Sequence, residues 1–426
     1  MERLLHYVWK YKLYDASTLT TTDGVSFQVL DPGIHNTDAG PDFFNAKIKI
    51  ENTVWAGSIE IHEKASDWIH HHHDRDKAYD SVILHVTGLD DARILRTTGE
   101  PIPQVILTIP ENIRENIDWL LHQETAMPCL PYIREIEPLH CSVWLAALLE
   151  ERLERKTADI LSLLEQYNND WNEVFYITLT RNFGFGVNSD AFEWLAKSLP
   201  FHCIQKHRCN HAQVEAMLFG QAGMLEYPGH CPYYLLLQRE YRFLKHKFGL
   251  KPLDASLFKN LRLRPGNFPH QRLAQLAALW VRYDTLFSLI LEITSPNQIK
   301  KYFRILPSAY WQTHYHFRHA SPVKEKTIGE ESLNVLLINT VVPMLFAYGQ
   351  HANRITYCER ANTLLEKIPP EKNNIVYTFR KAGIEVRHAG DSQALIQLKR
   401  AYCDQKKCLY CRIGFRFLKR STVPVK

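Results

Sequence analysis

The sequence predicts an α+β protein: a mixed α/β domain over residues 1–110, then a long and mostly helical body. Three observations predict it. Residues 43–50 alternate apolar and polar at a period of two, as a half-buried strand does. The elements of the first 110 residues fall in the order α-β-β-β-α-β. From residue 111 onward the apolar residues recur at helical spacing instead.

Each element has a local reason. Leu5, Val8, Trp9 and Leu13 form one apolar stripe, so residues 2–14 read as an amphipathic helix. Ser26–Leu30 reads as a strand, followed by a loop through Asp31-Pro32-Gly33 and Asp38-Ala39-Gly40-Pro41. In Phe43–Ile50, Phe44, Ala46, Ile48 and Ile50 alternate with Asn45, Lys47 and Lys49. Glu51-Asn52-Thr53 turns the chain back into Val54–His62. Ser66 or Asp67 caps a helix running to about Asp80, and Val82–Val86 is a compact strand. A last hairpin is expected in Ala92–Leu107. Beyond it, helices are expected over 111–400, beginning with a long amphipathic repeat from Leu139 to Tyr167. Residues 401–426 form a basic tail with three cysteines.

Composition narrows the function classes. With 426 residues, 45% of them hydrophobic and 23% charged, the chain can bury a core and is not mainly disordered. Its net charge of +5 permits nucleic-acid binding without requiring it. The first fifteen residues are broken by Glu2, Arg3, His6, Lys10 and Lys12, unlike an export signal. The longest apolar stretch, Val335–Tyr348, contains Asn339, Thr340 and Pro343, so a buried helix is expected there and no membrane span. A cytoplasmic protein with reduced or metal-bound cysteines is the expectation. Oligomeric state is not legible.

The chemistry concentrates in residues 40–62. If the hairpin closes near Asn52, paired positions sum to about 103 or 104, and Asp42 faces Ile61 or His62. Glu60 then lies beside or diagonal to Asp42, and Glu60 and His62 share a face. Two carboxylates this near repel unless a cation lies between them, and Mg²⁺ or Mn²⁺ suits such oxygen ligands. Beyond them come His70–His73 and Asp76; on a helix, His71 and His73 are the candidates to reach the metal, which would also admit Zn²⁺. Glu2 is a candidate extra acid, and His85 reads as a core histidine.

Pro41-Asp42, Glu60-Ile61-His62 and the α-β-β-β-α-β order resemble the PD-(D/E)xK nuclease superfamily, with its restriction-endonuclease-like fold. The resemblance implies that Asp42, Glu60 and the Ile61 backbone hold a metal. His62 would take the place of the usual Lys as general base or hydrogen-bond donor. It implies metal-dependent hydrolysis of nucleic acid. The alternative, favoured by His62 in place of Lys, is a nucleic-acid- or protein-binding factor on the same fold without catalysis. The whole chain also resembles a bacterial family of unknown function, on the segments GPDFFNAKI, IEIHEKASDWIHHHHDRDKAYDSVILHV, RNFGFGVN, NFPHQRLAQLA and YCDQKKCLYCRIG.

Three further segments draw attention. Cys408-x-x-Cys411 with Cys403 has zinc-knuckle spacing and needs a fourth ligand, Cys358 or a histidine; an iron–sulfur cluster or three plain thiols fit the same pattern. Lys259, Arg262, Arg264, His270 and Arg272 form the basic stretch best suited to a polyanion. Arg181–Gly186 lacks the Lys-Ser/Thr of a phosphate loop and reads as a turn between helices.

Overall fold

The computed structural model describes residues 2–420 except 17, 18, 37, 126, 227 and 230. The chain divides into two compact units, residues 1–140 with 400–426, and residues 141–399. The segment from residue 400 therefore belongs with the N-terminal unit rather than forming a separate tail.

In the N-terminal unit, helix α1 (Glu2–Lys10) is followed by strands β1 (Phe27–Asp31), β2 (Ile34–His35), β3 (Phe43–Ile50) and β4 (Thr53–Lys64). A short helix α2 (Asp67–His70), strands β5 (Val82–Leu89) and β6 (Gln104–Ile106) and helix α3 (Glu111–His122) complete it. The strands form one mixed sheet in the order β1-β3-β4-β5-β6, with β2 paired to β3. β1, β3 and β4 are antiparallel, whereas β5 runs parallel to β4 and β6 parallel to β5. Residues 66–81 therefore form a crossover, which a parallel pair demands. The hairpin expected in Ala92–Leu107 is reduced to a single bridge, Leu95 to Pro101, because β6 pairs with β5 instead.

The β3–β4 register begins as the sequence predicts, with Ile50 opposite Thr53 and Ala46 opposite Gly57. A bulge then intervenes, and Phe43 pairs with Ile59. Asn45 carries it with φ = +54°, a value Asn tolerates better than branched residues do. The extra residue reverses the alternation beyond it, so Phe43 is buried and Phe44 is exposed. Ile59 and Ile61 point into a core with Leu5, Val8 and Trp9 of α1, Ile113, Ile117 and Leu120 of α3, and Phe417 and Leu418. Glu60 and His62 point to the opposite face.

The expected helix from residue 66 to 80 breaks after one turn. Trp68 is its one buried residue, and the polar run His70–Lys77 supplies no apolar stripe to hold a longer helix. His72 turns the chain at φ = +63°, and two 3-10 turns, His73–Arg75 and Lys77–Ser81, follow. Both ends of the crossover are pinned by the loop after β5. Ser66 donates to Asp91 from its amide and hydroxyl, each at 2.8 Å. Arg96 donates to the Asp80 and Val82 carbonyls at 3.1 and 2.6 Å.

The second unit is helical apart from a small hairpin of His314–His316 with His319–Ala320. Its long apolar helix, Glu330–His351, could cross a membrane by length and composition, yet 78% of its apolar window is buried inside the protein. Pro343 cannot donate to the Asn339 carbonyl one turn earlier, and the Asn182 side chain donates to that carbonyl at 3.1 Å instead. The glycine-bearing Arg181–Gly186 segment ends helix Trp171–Phe183 and enters the turn that leads to helix Ser189–Ser198. A Cβ on Gly184 would lie 2.4 Å from the Asn188 backbone, so only glycine fits.

Candidate functional site

The bulge decides the geometry of the site. Continuing the shifted register places Asp42 opposite Glu60 rather than Ile61 or His62. The Asp42 amide donates to Glu60 Oε2 at 3.0 Å, and the Ile61 amide donates to Asp42 Oδ2 at 2.9 Å. Asn36 fixes the loop that delivers Asp42: its side-chain amide donates to the carbonyls of Asp38, Ala39 and Pro41 at 3.1–3.3 Å.

Glu60 and His62 are 5% and 2% exposed. His62 Nε2 and His73 Nε2 each lie 3.4 Å from Glu60 Oε1. His71 Nδ1 lies 3.3 Å from His62 Nε2. The ligating atoms of His62, His71 and His73 all lie within 4.8 Å of one another, the one such group of three or more His, Cys, Asp or Glu among the described residues. His70 and His72 of the same run point to solvent. The helix expected to carry this run ends at His70; the αL turn at His72 brings His71 and His73 together instead.

Neighbouring groups hold the imidazoles in place. Tyr79 stacks on His73 with ring centroids 3.7 Å apart, and Trp68 packs against both His73 and His85. His85, fully buried on β5, sits opposite Glu60 in the parallel register, and its Nε2 is 2.9 Å from His62 Nδ1. With the proton on His62 Nδ1, this contact leaves the Nε2 lone pair facing the group, which is the tautomer metal ligation requires.

Burial and the closeness of like groups shift the ionisable side chains of the site. Burial, and then the Glu60 charge, push Asp42 up to about 6. Burial also raises Glu60, opposed by its bonds to His73 and the Asp42 amide. His62 is pushed down to about 2 by burial and then by His85, His73 and His71, and burial takes His85 to about 3. A divalent ion would favour the ionised form of both carboxylates, and the imidazoles are already held in the neutral form that ligation requires.

Sequence reasoning missed His6, whose Nε2 lies 3.4 Å from Asp42 Oδ2 and 4.0 Å from Glu2 Oε1. The i, i+4 spacing of Glu2 and His6 on one helix face was the available signal. Arg3, His6, Tyr7, Lys10, Tyr11, His35 and Tyr410 line a shallow cleft there.

The family model of DUF2851, described as a protein of unknown function, matches residues 2–374. The chain belongs to that family. The match includes every residue of the cluster and ends before Cys403, Cys408 and Cys411. No curated protein and no solved structure matches the chain.

The other sequence candidates are dispersed. In the second unit Lys259, Arg262 and Arg264 are exposed, but Arg272 is buried and is not part of that surface. Its guanidinium bonds Gln275, Asn267 and Ser332 and lies 4.1 Å over the Phe185 ring. His270 is likewise buried, beside a cavity of about 780 Å³ lined by Tyr234, Phe258, Tyr310, His314, His316 and Phe317 among others. Cys358 of that unit packs its Sγ 3.5 Å from the Phe346 carbonyl.

Proposed function

We propose that the N-terminal unit is a metal-dependent phosphodiesterase acting on nucleic acid. The observation that carries the reading is the convergence of Asp42, Glu60, His62, His71 and His73 on one face of the sheet. The α-β-β-β-α-β order supports it, since Asp42 enters the second long strand and Glu60 lies on the third, as in the PD-(D/E)xK pattern.

The donor set fits a cation. Three imidazoles with Glu60 suit Mn²⁺ or Zn²⁺ better than Mg²⁺, which prefers oxygen ligands and octahedral geometry. Glu60, His62, His71 and His73 would hold the ion, with Asp42 beside them. When bound, it supplies Lewis acidity toward a phosphoryl oxygen and acidifies water. His62 is a ligand in this reading and not the general base, because burial and three neighbouring imidazoles disfavour its protonation. His6 Nε2, 3.4 Å from Asp42 Oδ2, favours the charged form of that carboxylate against burial and the Glu60 charge. Arg3 and Lys10, exposed beside Tyr11 and Tyr410, offer phosphate contacts and stacking faces at the cleft next to His6.

A binding factor without catalysis is the second reading. It is favoured by the two carboxylates' bonds to backbone amides across the strands, which give each a structural task as well.

Cleavage assays decide between them: single- and double-stranded DNA and RNA, with Mn²⁺, Zn²⁺ or Mg²⁺ added to metal-free protein. Hydrolysis is expected with Mn²⁺ or Zn²⁺, reduced at least ~100-fold in Asp42→Asn and Glu60→Gln. Activity untouched by both substitutions refutes the site. Tight binding without cleavage under every metal selects the second reading. Because Asp42 must lose its proton to act with a cation, metal affinity should rise with pH through about 6.

A further inference from the structure

Seven of the twelve residues from 309 to 320 carry rings, yet of the described ones only Trp311 is enclosed in the core. Tyr310, His314, His316 and Phe317 of this stretch instead wall the cavity of about 780 Å³ in the second unit, together with Tyr234 and Phe258. A volume of this size falls within the ~300–1,000 Å³ of small-molecule sites.

The walls are fixed before any ligand arrives. Gln271 Nε2 and Lys326 Nζ both donate to the His314 carbonyl, at 2.6 and 2.9 Å, and so tie the hairpin to helix Pro269–Arg282. The Tyr310 ring is stacked between Tyr233 and His314, with centroids 4.0 Å away on each side. Its hydroxyl donates to the Phe317 carbonyl at 3.1 Å. A Cβ on Gly229 would stand 1.8 Å from the Tyr234 ring, so the close approach of backbone to ring requires glycine.

The polar groups alternate in kind. His314 Nδ1 lies 3.0 Å from the Tyr310 carbonyl, which can only accept, so the proton is on Nδ1 and Nε2 keeps its lone pair. His316 Nδ1 accepts the Arg318 amide at 3.3 Å, which puts the proton of that ring on Nε2. One imidazole thus offers an acceptor and the other a donor, and the Asn260 carboxamide adds one of each. Arg318 is exposed at the tip of the hairpin and brings a fixed positive charge, whereas no Asp or Glu lines the cavity among the described residues.

We infer that this cavity binds a mononucleotide, with the base among the rings and the phosphate at Arg318. Flat faces accept a planar ring, mixed donors and acceptors match the edge of a nucleobase, and the guanidinium matches a phosphate. A purely apolar ring would leave the imidazole and amide groups unpaired, and a cationic ligand would meet Arg318 with no carboxylate to balance it. The site lies in the second unit and stands without the phosphodiesterase reading of the first.

The test is calorimetry on the full-length chain in excess EDTA, which keeps metal from the histidine cluster, with AMP, CMP, GMP and UMP as probes. At least one should bind at sub-millimolar concentration, and its nucleoside should bind ~10-fold more weakly. Arg318→Ala should bring the nucleotide down to the affinity of the nucleoside and leave the nucleoside unchanged. Ala320→Trp, which sets an indole at an exposed position of the wall, should abolish binding of both. Lys10→Ala, in the cleft of the N-terminal unit, should change neither. Failure of all four monophosphates to bind overturns the inference, as does binding that survives both Arg318→Ala and Ala320→Trp. Tighter binding of 4-hydroxybenzoate than of any nucleotide also overturns it. Should Ala320→Trp not fold, photolabelling of the unmodified chain with 8-azido-AMP or 5-azido-UMP decides. Label is expected within residues 224–234 or 310–320, and label confined to other segments refutes the site.

Discussion

Histidines gather in both units, and the two gatherings differ in what stands beside them. In the N-terminal unit, His62, His71 and His73 turn their nitrogens toward one another and toward Glu60. In the second unit, His270, His314 and His316 spread along the wall of a cavity and pack against rings. Tyr310 stacks on His314 at 4.0 Å, and His270 meets His316 at 4.4 Å with Phe219, Trp311 and Phe317 nearby. The first arrangement offers convergent lone pairs with an anion among them. The second offers flat faces and apolar volume. A count of histidines cannot separate the two; carboxylates and the direction of the nitrogens can.

The strongest test of this contrast is removal of histidines in matched pairs. His71→Ala with His73→Ala should weaken Mn²⁺ or Zn²⁺ binding at least ~100-fold by calorimetry. His314→Ala with His316→Ala should leave that affinity unchanged. Equal losses would erase the distinction. A smaller effect is expected from His85, which touches no ligating atom except through His62. His85→Gln should cost ~10-fold or more in affinity, as outer partners of metal ligands do, while circular dichroism shows the fold retained.

The third test is the pH dependence of stability. His270 is lowered to about 3 by burial and then by His316. Its stabilising contribution is therefore present above about 6.5 and is lost as pH falls toward 3, because the unfolded chain takes up a proton that the folded one refuses. The contribution is on the order of a few kcal/mol. Glu215, raised to about 7 by burial, acts with the opposite sign, losing its contribution as pH rises through that value. Comparing melting temperatures of the native chain and His270→Asn from pH 7 to 4 cancels the Glu215 effect. The native chain should lose stability more steeply, and parallel curves would contradict the assignment. The smallest effect belongs to His70→Ala and His72→Ala. These side chains point to solvent, so metal binding and stability should match the native chain within ~0.5 kcal/mol.

Much of the fold was legible because periodicity reports burial directly. β3 has the bounds of the period-two stretch, with Ala46 and Ile48 buried as the alternation requires although the bulge exposes Phe44, and the long helix Pro138–Gln166 followed its amphipathic repeat. The crossover was not legible as drawn. Ser66 and Asp67 look like helix caps, but the polar run behind them has nothing to bury, so the helix stops after one turn. At the site, Asp42, Glu60 and His62 could be named from strand spacing, whereas their opposition depends on a bulge at Asn45 that no alternation pattern announces. His6 comes from a distant segment, and only tertiary packing brings it to Asp42. The basic stretch failed at Arg272 and His270 for a related reason. Residues of either charge can enter a core when polar partners or stacked rings wait there.

The bulge at Asn45 carries one last consequence. One additional residue on a single strand converts staggered carboxylates into facing ones without altering the identity of any ligand. The distance in sequence between Asp42 and Glu60 is thus an adjustable setting, fixed by how many residues the hairpin contains, and not a signature in itself. Deleting Asn45 would remove the bulge and leave Asp42 opposite Glu60, because Phe43 already pairs with Ile59 and Ala46 with Gly57; straightening the strand with Asn45 kept is what would turn Asp42 to the other face.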